Sequence, residues 1–329
     1  MNDIGRRAAL GAGAGLLAAG LLGAGRGEAQ PAFRPSRPVR LVVPFPPGGP
    51  TDLLGRLVAE RLSVLWGVPV VVENRAGGGT AVGTNVVARS APDGHVIGLV
   101  ISSHVINPAL RDDLPFDALR DFAHVTQMTE AHVAFVANAA LPADDLRGMI
   151  ALSKRTPEGL SYASPGVGSL SHLVGELLAS ATGANMVHIP YPGSAPAQTD
   201  LLASRVPLMF DVWHSVRSHV EAGQLKVLGL ASGRPLPGWE RLPLIRDIVP
   251  GIEAASMFGI VAPGGTPAPT VAALAAGIRT ILLSGDMPER LRDLGMEPVA
   301  STPEAFTAYV AAEIARWRTV VRERGLKPA

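Results

Sequence analysis

Two segments of the chain combine glycines, hydroxyls and a helix start without a single Lys or Arg: Pro44-Phe45-Pro46-Pro47-Gly48-Gly49-Pro50-Thr51-Asp52 and Ser164-Pro165-Gly166-Val167-Gly168-Ser169-Leu170-Ser171-His172. Glycine lets backbone approach a ligand closely. The unpaired N–H groups of a helix's first turn carry the positive end of its dipole. The chemistry on offer is therefore the holding of an anion by N–H and O–H groups, with no salt bridge. Each segment is equally readable as a tight βα turn, where Gly and Pro are ordinary residues. A third glycine-rich segment, 73–80, fails the G-x-G-x-x-G spacing because Val82 stands where the last glycine belongs, so a dinucleotide reading is weak.

Catalytic signatures are missing. The sequence has no G-x-S-x-G elbow, no H-E-x-x-H and no Walker lysine motif. With no cysteine, thiol nucleophiles, disulfides and thiolate metal sites are excluded together. No cofactor is expected. Ser169 and His172, three residues apart at a helix start, are the only fragment of a hydrolytic site, and they read more simply as cap and ligand contacts. His188 reads as a structural histidine. Asp211, ending an apolar run, is either a carboxylate facing a ligand or the N-cap of the next helix. With 29 Lys+Arg against 28 Asp+Glu and no basic run, nothing supports a nucleic-acid surface.

The elements that must position these loops follow from periodicity. Short apolar runs at 39–43, 68–73, 95–101, 133–137, 160–163, 186–189, 206–210 and 226–231 alternate with helix-period segments at 51–66, 144–154, 171–182, 195–203 and 212–222. Strands interleaved with helices of this length predict an α/β chain built of parallel βαβ units in doubly wound sheets, whose ligands bind at the carboxyl ends of the strands. A proline-rich stretch, 234–251, breaks the rhythm before a strand at 258–262, and helices at 267–283, 288–294 and 303–323 close the chain. Ahead of all this, Arg6-Arg7, an uncharged stretch 8–25 and Gly27-Glu28-Ala29 form an export-signal pattern over residues 1–29, most like a twin-arginine signal.

An ordered set of motifs adds a resemblance. Arg40-Leu41-Val42-Val43-Pro44-Phe45-Pro46-Pro47-Gly48-Gly49-Pro50-Thr51-Asp52, Val72-Glu73-Asn74-Arg75, Ala91-Pro92-Asp93-Gly94, Asn107-Pro108-Ala109-Leu110, His188-Ile189-Pro190-Tyr191-Pro192-Gly193-Ser194-Ala195-Pro196-Ala197 and Ala262-Pro263-Gly264-Gly265-Thr266-Pro267 run in sequence along the chain. Together they resemble the tripartite tricarboxylate transporter receptors, the Bug-type solute-binding proteins. The resemblance implies a two-lobed, type II-like periplasmic binding protein with a cleft between doubly wound lobes. Residues 30–128 with 252–329 would form lobe I and 129–251 lobe II, joined by hinge crossings near 126–130 and 250–257. It further implies an exported, monomeric periplasmic receptor that holds a small carboxylate and serves membrane permease subunits or a sensor protein. The implied contacts are Pro47, Gly48, Gly49, Thr51 and Asp52 in the first lobe, with Ser102, Ser103 and Asn107 as a rim. In the second lobe they are Ser164, Gly166, Gly168, Ser169 and His172, with Asp211 toward the variable end of the ligand. Trp213 beside Asp211 would change the size of that end.

Overall fold

A computed structural model describes residues 33–324; the export pattern at 1–29 lies outside the described residues. In chain order the elements are β1 (Val39–Val43), α1 (Pro50–Trp66), β2 (Val70–Asn74), α2 (Ala81–Ala88), β3 (Val96–Ile101), α3 (Ser103–Leu110) and β4 (Phe122–Asn138). Next come α4 (Leu146–Arg155), β5 (Leu160–Ser164), α5 (Leu170–Thr182), β6 (Met186–Pro190), α6 (Ser194–Leu202), β7 (Leu208–Val212), α7 (Trp213–Glu221) and β8 (Leu225–Leu230). The chain closes with β9 (Ala255–Pro263), α8 (Ala268–Leu282), α9 (Met287–Asp293), β10 (Met296–Pro298) and α10 (Pro303–Arg324).

The strands fall into two lobes that share one strand. In the first lobe β1 pairs in parallel with β2 and β3, and β9 lies antiparallel between β3 and β4. In the second, β5 pairs in parallel with β6 and β7, while β7 and β8 run antiparallel to β4. The 17-residue β4 belongs to both: its residues up to His132 face β9, and from Val133 onward they face β7. The parallel βαβ units expected from the sequence are the β1–β2–β3 and β5–β6–β7 sets, and the strands that connect the lobes enter each sheet in the reverse direction.

Sequence explains the packing. The alternation along β1 sends Val39, Leu41 and Val43 to one face, where Leu54, Val58 and Leu62 of α1 and Leu274 and Ile278 of α8 cover them, and Val42 to the other. Each such side chain contributes roughly 1.5–3 kcal/mol by leaving water. Gly67 ends α1 in the left-handed region at φ 70°, a conformation glycine takes without strain. In the second lobe Phe135 of β4 and Phe210 of β7, register partners, stack at 4.0 Å between centroids.

Candidate functional site

The Pro44–Pro50 loop and the Ser164–Ser169 loop leave the carboxyl ends of β1 and β5 and meet at a cavity of about 60 Å³, roughly four times the room one ordered water needs. Of the residues singled out in the sequence, Pro47, Gly49, Thr51, Ser169 and Asp211 line it. Three helix N-termini open on this space. In α1, Gly49 is the N-cap and Pro50 has no N–H, leaving the Thr51 and Asp52 amides at the first turn. In α5, Ser169 Oγ caps His172 N at 3.2 Å, leaving Leu170 and Ser171. The third is α6, whose N-cap Gly193 and first residues Ser194 and Ala195 also line the cavity. The 188–197 motif carried the resemblance, yet reading the loops singly passed over α6; the signal available was Gly193-Ser194-Ala195-Pro196, a third glycine-led helix start after a strand.

The remaining singled-out residues stand behind the cavity and hold its loops. Asp52 is 2% exposed, and its carboxylate accepts from Gly48 N at 3.0 Å, Asn74 Nδ2 at 2.9 Å and Arg56 Nε at 2.9 Å. Burial opposes its charge, but these hydrogen bonds outweigh it and hold the carboxyl below its usual range. Gly48 therefore spends its N–H on Asp52. Ser164 Oγ lies 2.7 Å from His188 Nε2 and accepts from Gly166 N at 3.2 Å, while Ser169 Oγ donates to Gly166 O at 2.7 Å. His172 Nδ1 accepts from Gly168 N at 3.3 Å, which places its proton on Nε2. Its ring stacks on His188 at 4.0 Å, and burial holds both imidazoles below their usual pKa, His188 at about 3. Ser102 Oγ accepts from Met257 N at 2.9 Å, and Ser103 Oγ pairs with Thr80 Oγ1 at 2.9 Å.

Asn107 and Gly168 meet across the lobes. Asn107 Nδ2 donates to Gly79 O at 2.8 Å, its buried Oδ1 has no hydrogen-bond partner, and a Cβ placed on Gly168 would lie 2.1 Å from that oxygen. A Cβ on Gly79 would lie 2.8 Å from Val167 O. The absent side chains at 79 and 168 are thus what permits the two lobes to touch.

Asp211 is the one charged residue on the cavity wall. Burial raises its pKa to about 6, against hydrogen bonds from Val212 N at 2.8 Å, Ser194 Oγ at 3.0 Å and Gln198 Nε2 at 3.2 Å. Trp213 is not beside the ligand space, correcting that expectation. It is 1% exposed, packs edge-on against Trp239 at 4.9 Å, and lies where a Cβ on Gly295 would come within 3.0 Å of its ring. Asp211 belongs to β7 and Trp213 is the first residue of α7, so the turn from strand to helix separates them: Asp211 reaches the cavity while Trp213 enters the core. Among the described residues no group of three potential metal ligands occurs, and no single helix is long and apolar enough to cross a membrane.

Fold and cavity together define a two-lobed solute-binding protein. A family model described as the tripartite tricarboxylate transporter family receptor matches residues 54–326, and the chain belongs to that family. Protein BugT of Bordetella pertussis is 36% identical over 296 residues, covering 89% of this chain and 91% of its own. The UPF0065 protein of the tcbD-tcbE intergenic region in Pseudomonas sp. strain P51 is 34% identical over 325 residues, covering 98% and 96%. Among solved structures, R. palustris Rpa4515 with adipate superposes with a TM-score of 0.86 at 34% identity, over 90% of this chain and 99% of that one. MatC from Rhodopseudomonas palustris with bound malate gives 0.83 at 32%, over 87% and 99%.

Proposed function

We propose that this receptor works in the periplasm, capturing a small carboxylate between its lobes and presenting it to membrane permease subunits or to a sensor protein. The observation that carries the reading is the convergence of the α1, α5 and α6 N-termini on a cavity lined by no Lys, Arg or His. Such a wall suits an anion held by charge-assisted N–H and O–H bonds, each worth about 1.5–3 kcal/mol. The adipate and malate bound by the two R. palustris relatives support the ligand class. The export pattern at residues 1–29 and a relative described as a periplasmic transporter support the location.

The lobe boundaries proposed from the sequence, 30–128 with 252–329 and 129–251, are supported by the change of partners along β4 between His132 and Val133. We assign the protein no catalysis. Its Ser–His contact is Ser164 with His188, but Ser164 is fully buried, lies off the cavity wall and already engages Gly166. Calorimetric titration with a panel of mono-, di- and tricarboxylates at low and high salt tests the reading. Stoichiometric binding of at least one, changing little with salt because no cationic side chain lines the cavity, is expected. No binding across the panel, or a steep salt dependence, overturns it.

A further inference from the structure

The Ser164–Ser169 loop rests on two imidazoles that do not line the cavity. His172 of α5 is 3% exposed, and its ring lies 4.0 Å from that of His188 of β6 with 21° between the planes, so it is backed on that face. Its Nδ1 accepts from Gly168 N at 3.3 Å, and a proton arriving there would set two donors against each other. The loop is blocked from withdrawing. A Cβ on Gly168 would stand 2.1 Å from Asn107 Oδ1, and one on Gly79 2.8 Å from Val167 O, so the first lobe presses directly on this segment. Gly168 is thus held between His172 of its own lobe and α3 of the other. The groups around His172 divide in charge. Glu176, one turn along α5, favours a cation there and His188 of β6 opposes one, while Tyr162 of β5 spends its hydroxyl on Glu176 at 2.7 Å and His172 O at 3.1 Å, and α3 presents the uncharged Asn107 amide. Burial outweighs Glu176 and holds the imidazole below its ordinary range.

We propose that closure of the lobes on a ligand expels a proton from His172, which makes this histidine a positioning residue whose neutral form the closed receptor requires. The inference rests on the carboxylate-receptor reading and adds its regulation: capture is tight at neutral pH and weakens in acid. When the lobes part, Asn107 and Gly79 leave the loop, the Gly168 amide is free to turn from Nδ1, and the imidazole takes up a proton as a solvated one does. The closed state refuses that proton. Its advantage over the open state is therefore complete above the ordinary imidazole value of about 6.5 and is lost as pH falls below it. Asp211 acts in the opposite sense, since a carboxylate arriving beside it in the cavity favours its protonated form. The contribution of His172 is accordingly read as a difference between two proteins that both keep Asp211.

The test is calorimetric titration of the mono-, di- and tricarboxylate panel, adipate and malate included, into wild type and His172→Asn at pH 7.5 and 5.5, with urea midpoints confirming that both proteins are folded at both values. The asparagine Oδ1 takes the place of Nδ1 as acceptor for Gly168 N but does not titrate. At pH 7.5 the two proteins should bind within about threefold of each other. At pH 5.5 wild type should have lost about tenfold more affinity than the variant, because the ligand's own titration and that of Asp211 are common to both and cancel. Equal losses overturn the inference, as does a larger loss in the variant. Wild type alone gives a second reading that needs no variant. By 15N-histidine NMR, the His172 ring should titrate between pH 7.5 and 5.5 in the free receptor and stay neutral, with its proton on Nε2, when ligand is saturating; identical titration in the two states overturns the inference. Failure of wild type to bind any acid of the panel at pH 7.5 overturns the carboxylate reading itself, a distinct outcome.

Discussion

Gly168→Ala is the substitution on which the two-lobed geometry makes its sharpest demand. The residue adopts φ 75°, where an L side chain costs about 1–2 kcal/mol, and its new Cβ would stand 2.1 Å from Asn107 Oδ1 in the other lobe. Asn107 cannot simply swing away, because its Nδ2 is tied to Gly79 O at 2.8 Å. Overpacking of this kind costs about 1–3 kcal/mol when it cannot relax. Here it relaxes by parting the lobes, so most of the cost should fall on binding: a loss of about 10- to 100-fold in affinity at ~1.4 kcal/mol per decade. The assay is a double-mutant cycle, titrating wild type, Gly168→Ala, Asn107→Gly and the pair with the same carboxylate, alongside urea unfolding. Asn107→Gly removes the obstructing oxygen, so the pair should recover at least half of the lost binding free energy, leaving only the backbone strain as a folding cost. If Gly168→Ala lowers stability but leaves affinity intact, or if Asn107→Gly rescues nothing, the contact does not govern closure and the reasoning fails.

Acid should weaken the fold through buried histidines. His104 is held at about 3, chiefly by burial, and His188 in the same direction, so the unfolded chain takes up protons below pH 6.5 that the native state refuses until near pH 3. His104 alone should cost on the order of 2 kcal/mol at pH 5, partly offset by Asp211, whose raised pKa favours the native state as pH falls from 6 toward 4. His104→Gln, which keeps an N–H donor for Ala118 O but has no titrating ring, should flatten the fall in urea midpoint between pH 7.5 and 5; an unchanged fall would refute the assignment. Asp52→Ala strips the acceptor from the Gly48 amide and the Asn74 side chain, and should cost about 2–3 kcal/mol with weaker ligand binding. Arg56→Ala removes only a half-exposed partner and should cost under about 1 kcal/mol, so equal losses in the two variants would show the ion pair, not the loop brace, to matter.

Much of the framework was legible from periodicity. The strand at 39–43 and the helix ending at Trp66 with Gly67 as its stop coincide with β1 and α1. The omissions have two causes. The first half of β4 buries His124, Thr126, Gln127, Thr129 and His132, so a strand covered on both sides carries no apolar signature. α2 and α3 are eight residues each, and α3 contains Pro108, too short and too interrupted to show a helical period. At the site, glycine and hydroxyl spacing located the α1 and α5 loops, but not which groups face the cavity. That depends on internal bonds such as Asp52 to Gly48, and spacing cannot tell an oxygen spent on the loop from one offered to a ligand.

The insertion of β9 between β3 and β4 bears on how the chain is made. During synthesis the first lobe has β1, β2 and β3 in place early, yet the facing edges of β3 and the first half of β4 stay open until residues 255–263 emerge. The second lobe, lying wholly between those two visits, has every one of its strands available first. Nascent chains that stall before β9 would therefore carry one finished lobe beside a sheet with two unpaired strand edges, the kind of intermediate that pairs with its neighbours. The segment from β9 onward is a structural closure, and truncations there should yield aggregation instead of a smaller working receptor.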